Sequence, residues 1–508
     1  MKSMFAKTTG ILLGCAMAIA GAAHAAPVAS NTPASAFIGE WSGVRHLKAP
    51  HYSADQGVDL RIDQGPEGLQ IVDLTRTASG TAPARLKLDG RKFSGAWSAM
   101  TGEVTLTGEL SPDGRTLRVH FAGEIESRHE ADAIALSRDN PDAKRFFEAR
   151  PSGEHTSGYV VPATTTDGWT TGSLRQTPAN VALLEDMVRS VEAQNRDPKG
   201  NETDGIVIAV GGKLVFEDYF WGYDRATPHQ ISSDTKSITS IVTGVAIDQG
   251  KLSADDLVSS FFPDYAETSW IKNKYPTTLK QILSMTAGLD WNEDVPYQDP
   301  RNTAEGLLVA KDPTAYVLDR KLAETPGTHF QYNSGLPNLV GDAVSRRVGQ
   351  PFGEFADRSL FAPLGIKEHF WTTQKNGHVL AAGGLYLRPR DMAKIGQMML
   401  DHGVWNGHRV LSEAWVDAST AQHTPADGYA YGYYWHLSTK EKPRLDGESG
   451  FMAIGQAGQY IVVIPRLKAV IVVTSSNWQP GGTPIVLNQI INKYIVPALQ
   501  GSAAAKAP

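Results

Sequence analysis

The sequence predicts an α+β protein, in which an antiparallel sheet flanked by helices carries a helical subdomain and is preceded by a small all-β domain. Three observations point there. From Ala36 to about Arg150, apolar residues alternate at period two between turn signals, and no helix-length periodicity intervenes. An amphipathic helical pattern at about 180–195 runs directly into a hairpin, and apolar strand runs return late in the chain before a last helical pattern. Between them, the 150 or so residues after Gly250 read as helices joined by long loops, so the early and late segments can share one sheet with the helical part inserted.

At 508 residues the chain exceeds one ordinary core and suggests two to four domains. A formal net charge of −6 and the lack of any basic stripe exclude an electrostatic footprint for nucleic acid. Residues 1–25 join a short basic start, an apolar middle and Ala23-His24-Ala25, the pattern of a cleaved signal peptide, so we expect an exported protein, periplasmic or secreted. The apolar run is too short for an uncleaved span, and lipid anchoring at Cys15 is a minor alternative because Leu13 sits poorly for a lipoprotein box. Cys15 is the sole cysteine, so the mature chain would have no disulfide, thiolate nucleophile or cysteine-bound metal. No HExxH or other clustered metal-ligand pattern occurs, and neither a metal nor a cofactor is expected.

In chain order, the all-β domain is expected over 36–150. Leu86 with Leu88 and Val104 with Leu106 alternate, and Asp89-Gly90 and Asp113-Gly114 mark hairpins of a sandwich or barrel. Gly39-x-Trp41 is reminiscent of lipocalin-type barrels, although a tryptophan plugging any barrel end gives the same pattern. Residues 151–168 read as a linker rich in Gly, Thr, Ser and Pro, 169–500 as the main domain and 501–508 as a flexible tail. In the main domain Val181, Leu184, Met187, Val188 and Val191 give the first helix, and Gly211-Gly212 turns the first hairpin. Two apolar runs flank a turn at Pro465–Lys468, and the final helix is expected to end at Pro497.

Ser233-Asp234-Thr235-Lys236 opens a helix whose apolar stripe is Ile238, Ile241, Val242 and Val245 and whose stop is Gly250. Residues three apart share a helical face, so the Ser233 hydroxyl and Lys236 amine can meet, and burial of the stripe would lower the lysine pKa as a neutral base requires. SxxK alone is weak evidence: a second one, Ser269-Trp-Ile-Lys272, has no apolar helix after it and reads as coincidence. A serine–histidine pairing through His229 or His436 is disfavoured because no GxSxG elbow exists, and both read as structural. Trp291, Trp371 and Trp435 could equally line a pocket or fill a core.

Further segments follow in order: "TLKQILSMTAGLDW" at 278–291, "PGTHFQYNSG" at 326–335, "AAGGLYLRPRDMAKIGQMMLDHG" at 381–403, "YGYYWH" at 431–436 and "FMAIGQAGQYIVVIP" at 451–465. With "DGWTTGS" and the SxxK region, this succession resembles the serine β-lactamase-related hydrolases over about 167–500. That group includes class C β-lactamases, penicillin-binding DD-peptidases, D-aminopeptidases, esterases and 6-aminohexanoate-oligomer hydrolases. The resemblance implies the β-lactamase/DD-peptidase-like fold for this part and does not reach the N-terminal β domain. It implies Ser233 as nucleophile, Lys236 as general base or relay, and Tyr332 of Tyr332-Asn333-Ser334 as proton shuttle, its pKa lowered by nearby lysine charge. Ser334 stands where the family has asparagine, which puts the usual contact to a substrate amide in doubt. Asn333 could not simply substitute, since neighbouring side chains on extended backbone point oppositely. The family's Lys-Thr-Gly reads Ala453-Ile454-Gly455; Gly455 keeps the close backbone approach, and the amides of Ser233 and Gln456 would form the oxyanion hole.

The missing lysine is the one that helps to bind a β-lactam or peptide carboxylate, so the variant leans toward the esterase and 6-aminohexanoate-oligomer amidase branch. The expectation is an exported serine hydrolase that cleaves a small ester or amide substrate through an acyl-enzyme, with no nucleic-acid partner, no transmembrane segment in the mature chain and an oligomeric state that the sequence leaves open. The alternatives are a β-lactamase or D-amino-acid peptidase on the same machinery, and a non-catalytic cell-wall or ligand-binding protein in which the N-terminal domain does the binding.

Overall fold

The computed structural model describes residues 32–49, 52–74, 84–99, 102–122, 133–144, 146, 158–193, 202–295, 299–425, 428–478 and 481–501. The expected signal peptide, Cys15 and nearly all of the expected tail lie outside the described residues.

The N-terminal strands are β1 (Gly39–Ala49), β2 (Tyr52–Gly65), β3 (Gly68–Leu74), β4 (Ala84–Arg85), β5 (Lys87–Asp89), β6 (Lys92–Ala99), β7 (Gly102–Leu110), β8 (Thr116–Ala122) and β9 (Ile134–Ser137). They form one sheet in the order β4-β3-β2-β1-β9-β8-β7-β6-β5. Its two edges are neighbouring pieces of one chain segment separated by Leu86, whose amide donates to Leu69 O at 2.9 Å. The sheet therefore closes on itself as an up-and-down barrel, the solution that removes exposed edges. Period-two patterning turns Leu60, Ile62, Leu106, Leu117, Val119 and Leu136 inward. Trp41 plugs one end: it is fully buried, donates Nε1–H to Phe37 O at 2.8 Å and lies under the Arg138 guanidinium, 4.3 Å from the ring centroid.

In the main domain β10 (Thr170–Thr171), β11 (Thr203–Val210), β12 (Lys213–Tyr219), β18 (His436–Ser438), β19 (Gly450–Gly455), β20 (Gln459–Ile464) and β21 (Ala469–Ser475) build a sheet in the order β10-β12-β11-β21-β20-β19-β18. Early strands thus pair with the last ones, β11 against β21. Both faces are covered, which is why these strands read as near-continuous apolar runs. Val207, Ala209, Ile461, Val463, Val470 and Val472 enter the larger core, while Ile206, Ile208, Val462, Ile471 and Val473 face α1 (Val181–Glu192) and the C-terminal helical segment. That segment runs on past Pro497 to Gln500. The proline sits in the first turn of Val496–Gln500, where a missing N–H costs little, and follows a π-helical stretch, Leu487–Ile495.

The larger core is built around α2 (Asp234–Asp248), α3 (Gly335–Val348) and α4 (Pro389–Leu400). A small sheet of β13 (His229–Gln230), β14 (His369–Trp371) and β15 (Leu385–Leu387), in the order β13-β15-β14, leads into α2. A hairpin of β16 (Val404–Trp405) and β17 (His408–Arg409) follows α4. Helix α2 is not the half-exposed helix that its apolar stripe suggests, since every residue from Asp234 to Ala246 is buried. Three of its hydroxyls bond to carbonyls inside the fold: Ser237 Oγ donates to Tyr434 O at 2.6 Å, Thr239 Oγ1 to Ala381 O at 2.8 Å and Thr243 Oγ1 to Thr239 O at 2.7 Å. Gly244 lets Trp415 lie against the helix, where a Cβ would meet the indole at 2.1 Å.

Residues 158–168, part of the expected linker, are tied to the main domain. Arg390, 3% exposed, reaches Asp167 at 2.8 Å, Thr165 Oγ1 at 2.9 Å, Ala163 O at 2.8 Å and Glu217 at 2.7 Å. Tyr159 OH donates to Val215 O at 2.9 Å.

Candidate functional site

The chain enters α2 through a constrained turn. Ile231 N donates to Leu385 O at 3.0 Å, fixing the approach to β15, and Ser232 takes a left-handed φ of 47°. Thr235 Oγ1 closes the turn by donating to Ser232 O at 2.6 Å. Non-glycine residues in that region persist only where their surroundings hold them. Here the result is Ser233 at the N-cap of α2, in helical conformation and part-exposed, where the helix dipole favours negative charge.

Lys236, 2% exposed, places Nζ 2.8 Å from Ser233 Oγ and donates to Ala382 O at 2.7 Å. That carbonyl is itself positioned, because Ala382 N donates to Asn338 Oδ1 at 3.1 Å from α3. Burial pulls the Lys236 pKa down to about 8 against the opposing carboxyls of Glu293 and Asp234, so an appreciable fraction of the amine is neutral near neutral pH.

The Tyr332 hydroxyl is hydrogen-bonded to Ser233, and Lys236 Nζ lies 4.9 Å from the centroid of its ring. The expectation that lysine charge lowers the tyrosine pKa is overturned. Burial raises it, the Ser233 hydrogen bond opposes only part of that, and the neighbouring carboxyls of Glu293 and Asp234 add to the rise. Tyr332 is a neutral phenol, whereas Lys236 is the group whose pKa burial brings toward neutrality.

Asn333 turns inward, its Oδ1 accepting Gly335 N at 2.8 Å and Leu336 N at 3.3 Å to cap α3. Ser334, expected near the substrate, instead donates its hydroxyl to Glu293 Oε2 at 2.9 Å and its amide to Glu293 Oε1 at 2.5 Å. Trp291 Nε1 donates to the same Oε1 at 2.6 Å. Glu293 was not singled out in the sequence; its neighbours in "GLDWNED" gave no catalytic signature, and only the meeting of two loops reveals it.

Asp234, directly after the serine, is fully buried, and neither carboxyl oxygen has a hydrogen-bond partner among the described residues. Burial pushes its pKa well above the usual carboxylate range, with the Lys236 charge opposing. Gly455 packs on the nucleophile turn: a Cβ there would lie 2.3 Å from Ile231 O. Gln456 follows, and Ala457 takes a left-handed φ of 64°, pinned by Asn477 N donating to Ala457 O at 3.1 Å. Ala453, in place of the family's lysine, is fully buried in the larger core.

Trp435 is fully buried and Trp291 3% exposed, both in the core, whereas Trp371 is part-exposed. His229 is buried against Asp204 at 2.9 Å. His436 binds Tyr429 OH through Nδ1 at 2.8 Å, and burial, then the charges of Arg444 and Lys236, lower its pKa to about 3, so it is neutral. Ser269–Lys272, the second SxxK, is an isolated four-residue helix whose serine bonds Asp319 and whose lysine is exposed. Among the described residues there is no cluster of three or more metal-ligating side chains, and no helix is long and apolar enough to cross a membrane.

A sheet covered on both faces, a buried helix led by Ser233 and a tuned lysine beside it define a serine hydrolase of β-lactamase type. Residues 188–493 match the family model described as Beta-lactamase, and the chain belongs to that family. It is 28% identical over 382 residues to the 6-aminohexanoate-dimer hydrolase of Paenarthrobacter ureafaciens, a match that covers 65% of this chain and 93% of that one. It is 24% identical over 318 residues to the D-alanyl-D-alanine-carboxypeptidase/endopeptidase AmpH of Escherichia coli, covering 53% and 79%. A solved structure from the 6-aminohexanoate-dimer hydrolase group, from Bacillus anthracis, shares the fold with a TM-score of 0.51 at 23% identity, covering 61% of this chain and 81% of that one.

Proposed function

We propose that the protein is an exported hydrolase that cleaves a small ester or amide through a covalent acyl-enzyme on Ser233. The observation that carries this is the buried Lys236 amine 2.8 Å from Ser233 Oγ, with its pKa near 8. Neutral Lys236 takes the Ser233 hydroxyl proton as Oγ bonds to the substrate carbonyl carbon. The amides of Ser233 and Gln456 hold the resulting oxyanion, the helix dipole adding to the first. Tyr332, a neutral phenol on Ser233, gives its proton to the leaving oxygen or nitrogen as the C–O or C–N bond breaks, and recovers one from the Lys236 ammonium. Water then attacks the acyl carbon, Lys236 takes its proton by the same route, and Ser233 leaves with a proton.

The amide chemistry named for the relatives, a 6-aminohexanoate-dimer hydrolase and a carboxypeptidase, supports the amide half of the substrate class, and Ala453 in place of lysine speaks against β-lactams and peptide termini. Export rests on residues 1–25. A panel of short esters, amides and nitrocefin tests the reading. Ester or amide turnover that disappears in Ser233→Ala is the expected result, and nitrocefin turnover rivalling the best ester would favour the β-lactamase alternative. Detection of the unprocessed chain in the cytoplasm of its host would contradict export.

A further inference from the structure

A buried polar network that the mechanism above does not use leads into the nucleophile turn. His229, on β13 four residues before Ser233, is 4% exposed, and Asp204, on β11, is fully buried. His229 Nδ1 lies 2.8 Å from Gln230 O, which can only accept, so Nδ1 carries its proton; Nε2 lies 2.9 Å from Asp204 Oδ2. The Tyr223 ring lies on the imidazole at 4.9 Å and 36°. Bonded through both nitrogens and covered by the tyrosine, the histidine is held in one orientation.

The same Asp204 oxygen also accepts the Ser476 hydroxyl at 2.5 Å. Ser476 and Asn477 follow β21, and each is anchored by its backbone: Ser476 N donates to Glu202 O at 3.0 Å and Asn477 N to Ala457 O at 3.1 Å. Ala457 is the residue after Gln456. One buried carboxyl oxygen thus joins the strand that runs into Ser233 to the segment that fixes the backbone just beyond Gln456. Gly455 sets how closely the two sides approach, since a Cβ there would meet Ile231 O at 2.3 Å, and the bonds through Asp204 keep them from separating. Out of water, such bonds are electrostatically stronger than exposed ones.

We propose that Asp204, acting through His229 and Ser476, is a positioning residue for the hydrolysis: its carboxyl oxygen fixes the separation of the Ser233 and Gln456 amides. The inference rests on the reading above, in which those amides hold the oxyanion, and adds the group that spaces them. Their spacing bears on the transition state more than on the bound ester, because the donors act where negative charge develops. His229, whose sequence context reads as structural, gains a part in the chemistry through the backbone.

A double-mutant cycle in kcat tests it. Hydrolysis of para-nitrophenyl butyrate is followed in the full chain and in its Ser476→Ala, His229→Asn and doubly substituted variants. Rates are taken per Ser233 titrated with a fluorophosphonate, so that an unfolded fraction does not enter. Each single variant should lose about tenfold or more in kcat, with KM within about threefold of the parent. Either change breaks the same link, so the double variant should fall little below the less active single. An unchanged kcat per titrated site in both singles, a loss carried by KM, or losses that multiply in the double variant would each overturn the proposal and leave the hydrolase reading intact. A parent without ester turnover, whose Ser233 resists the fluorophosphonate, overturns both. If circular dichroism shows His229→Asn to be unfolded, the kcat and KM of Ser476→Ala, which removes a single hydroxyl, decide alone.

Discussion

At the scale of single residues, the site turns on the protonation of Lys236. Burial holds its pKa near 8, and the protonated amine cannot accept the Ser233 proton, so kcat/KM should rise with pH and level off above about 8. Replacing the lysine with methionine should cost about a thousandfold in kcat, read in steady-state hydrolysis of a neutral ester. The Glu293 carboxylate raises the Lys236 pKa, so Glu293→Gln should move the rising limb of the profile to lower pH. An unmoved limb would mean that the carboxylate's charge does not reach the amine. Asp234→Asn reproduces the shape of a neutral acid and should leave thermal stability within about 1 kcal/mol of the parent; a loss of several kcal/mol would show the buried group to be charged. Ser233, Lys236 and Tyr332 were legible because a helical spacing of three and an ordered set of motifs brought them to notice. Glu293 was not, because its role depends on a loop 41 positions from Ser334 folding against it. Nor was the direction of the Tyr332 shift, because burial outweighs any nearby charge and burial is a tertiary property.

At the scale of elements, the end of β19 packs Gly455 against the turn before α2, with Gln456 next in the chain. Gly455→Ala would drive a methyl to 2.3 Å from Ile231 O, backbone that cannot swing aside as a side chain can. The expected outcome is a loss of stability of about 1–3 kcal/mol and a fall in kcat larger than any change in KM, since a shifted Gln456 amide weakens the hold on the oxyanion about a hundredfold. Chemical denaturation and steady-state kinetics on the same preparation separate the two effects. The strands were legible from their two-sided apolar runs and the Pro465–Lys468 turn. Helix α2 was legible as an element but not as a wholly buried one. Its serines and threonines look like a wet face until the carbonyls of Tyr434, Ala381 and Thr239 are found opposite them. The helical run past Pro497 escaped for the opposite reason: a proline that stops a helix locally is tolerated in a first turn after a π-helical stretch.

For the whole molecule, the barrel and the main domain were both legible as classes of structure. Closure of the barrel was not, since it depends on β3 and β6 meeting on either side of Leu86. The ties of residues 158–168 to the main domain were also hidden, because this stretch has a loop composition yet supplies Ala163, Thr165 and Asp167 to the buried Arg390. A chain beginning at Gly158 should therefore melt close to the main domain's own transition in the full chain, whereas one beginning at Trp169 should lose about 1–3 kcal/mol through the hydrogen bonds withdrawn from Arg390. Calorimetry of the two chains decides this. The central claim, that Ser233 forms the acyl-enzyme, is tested most directly by the intact mass of the full-length protein after treatment with a fluorophosphonate or an activated ester. The account predicts one adduct per chain, located on Ser233 and lost in Ser233→Ala; an adduct that persists in Ser233→Ala would contradict it.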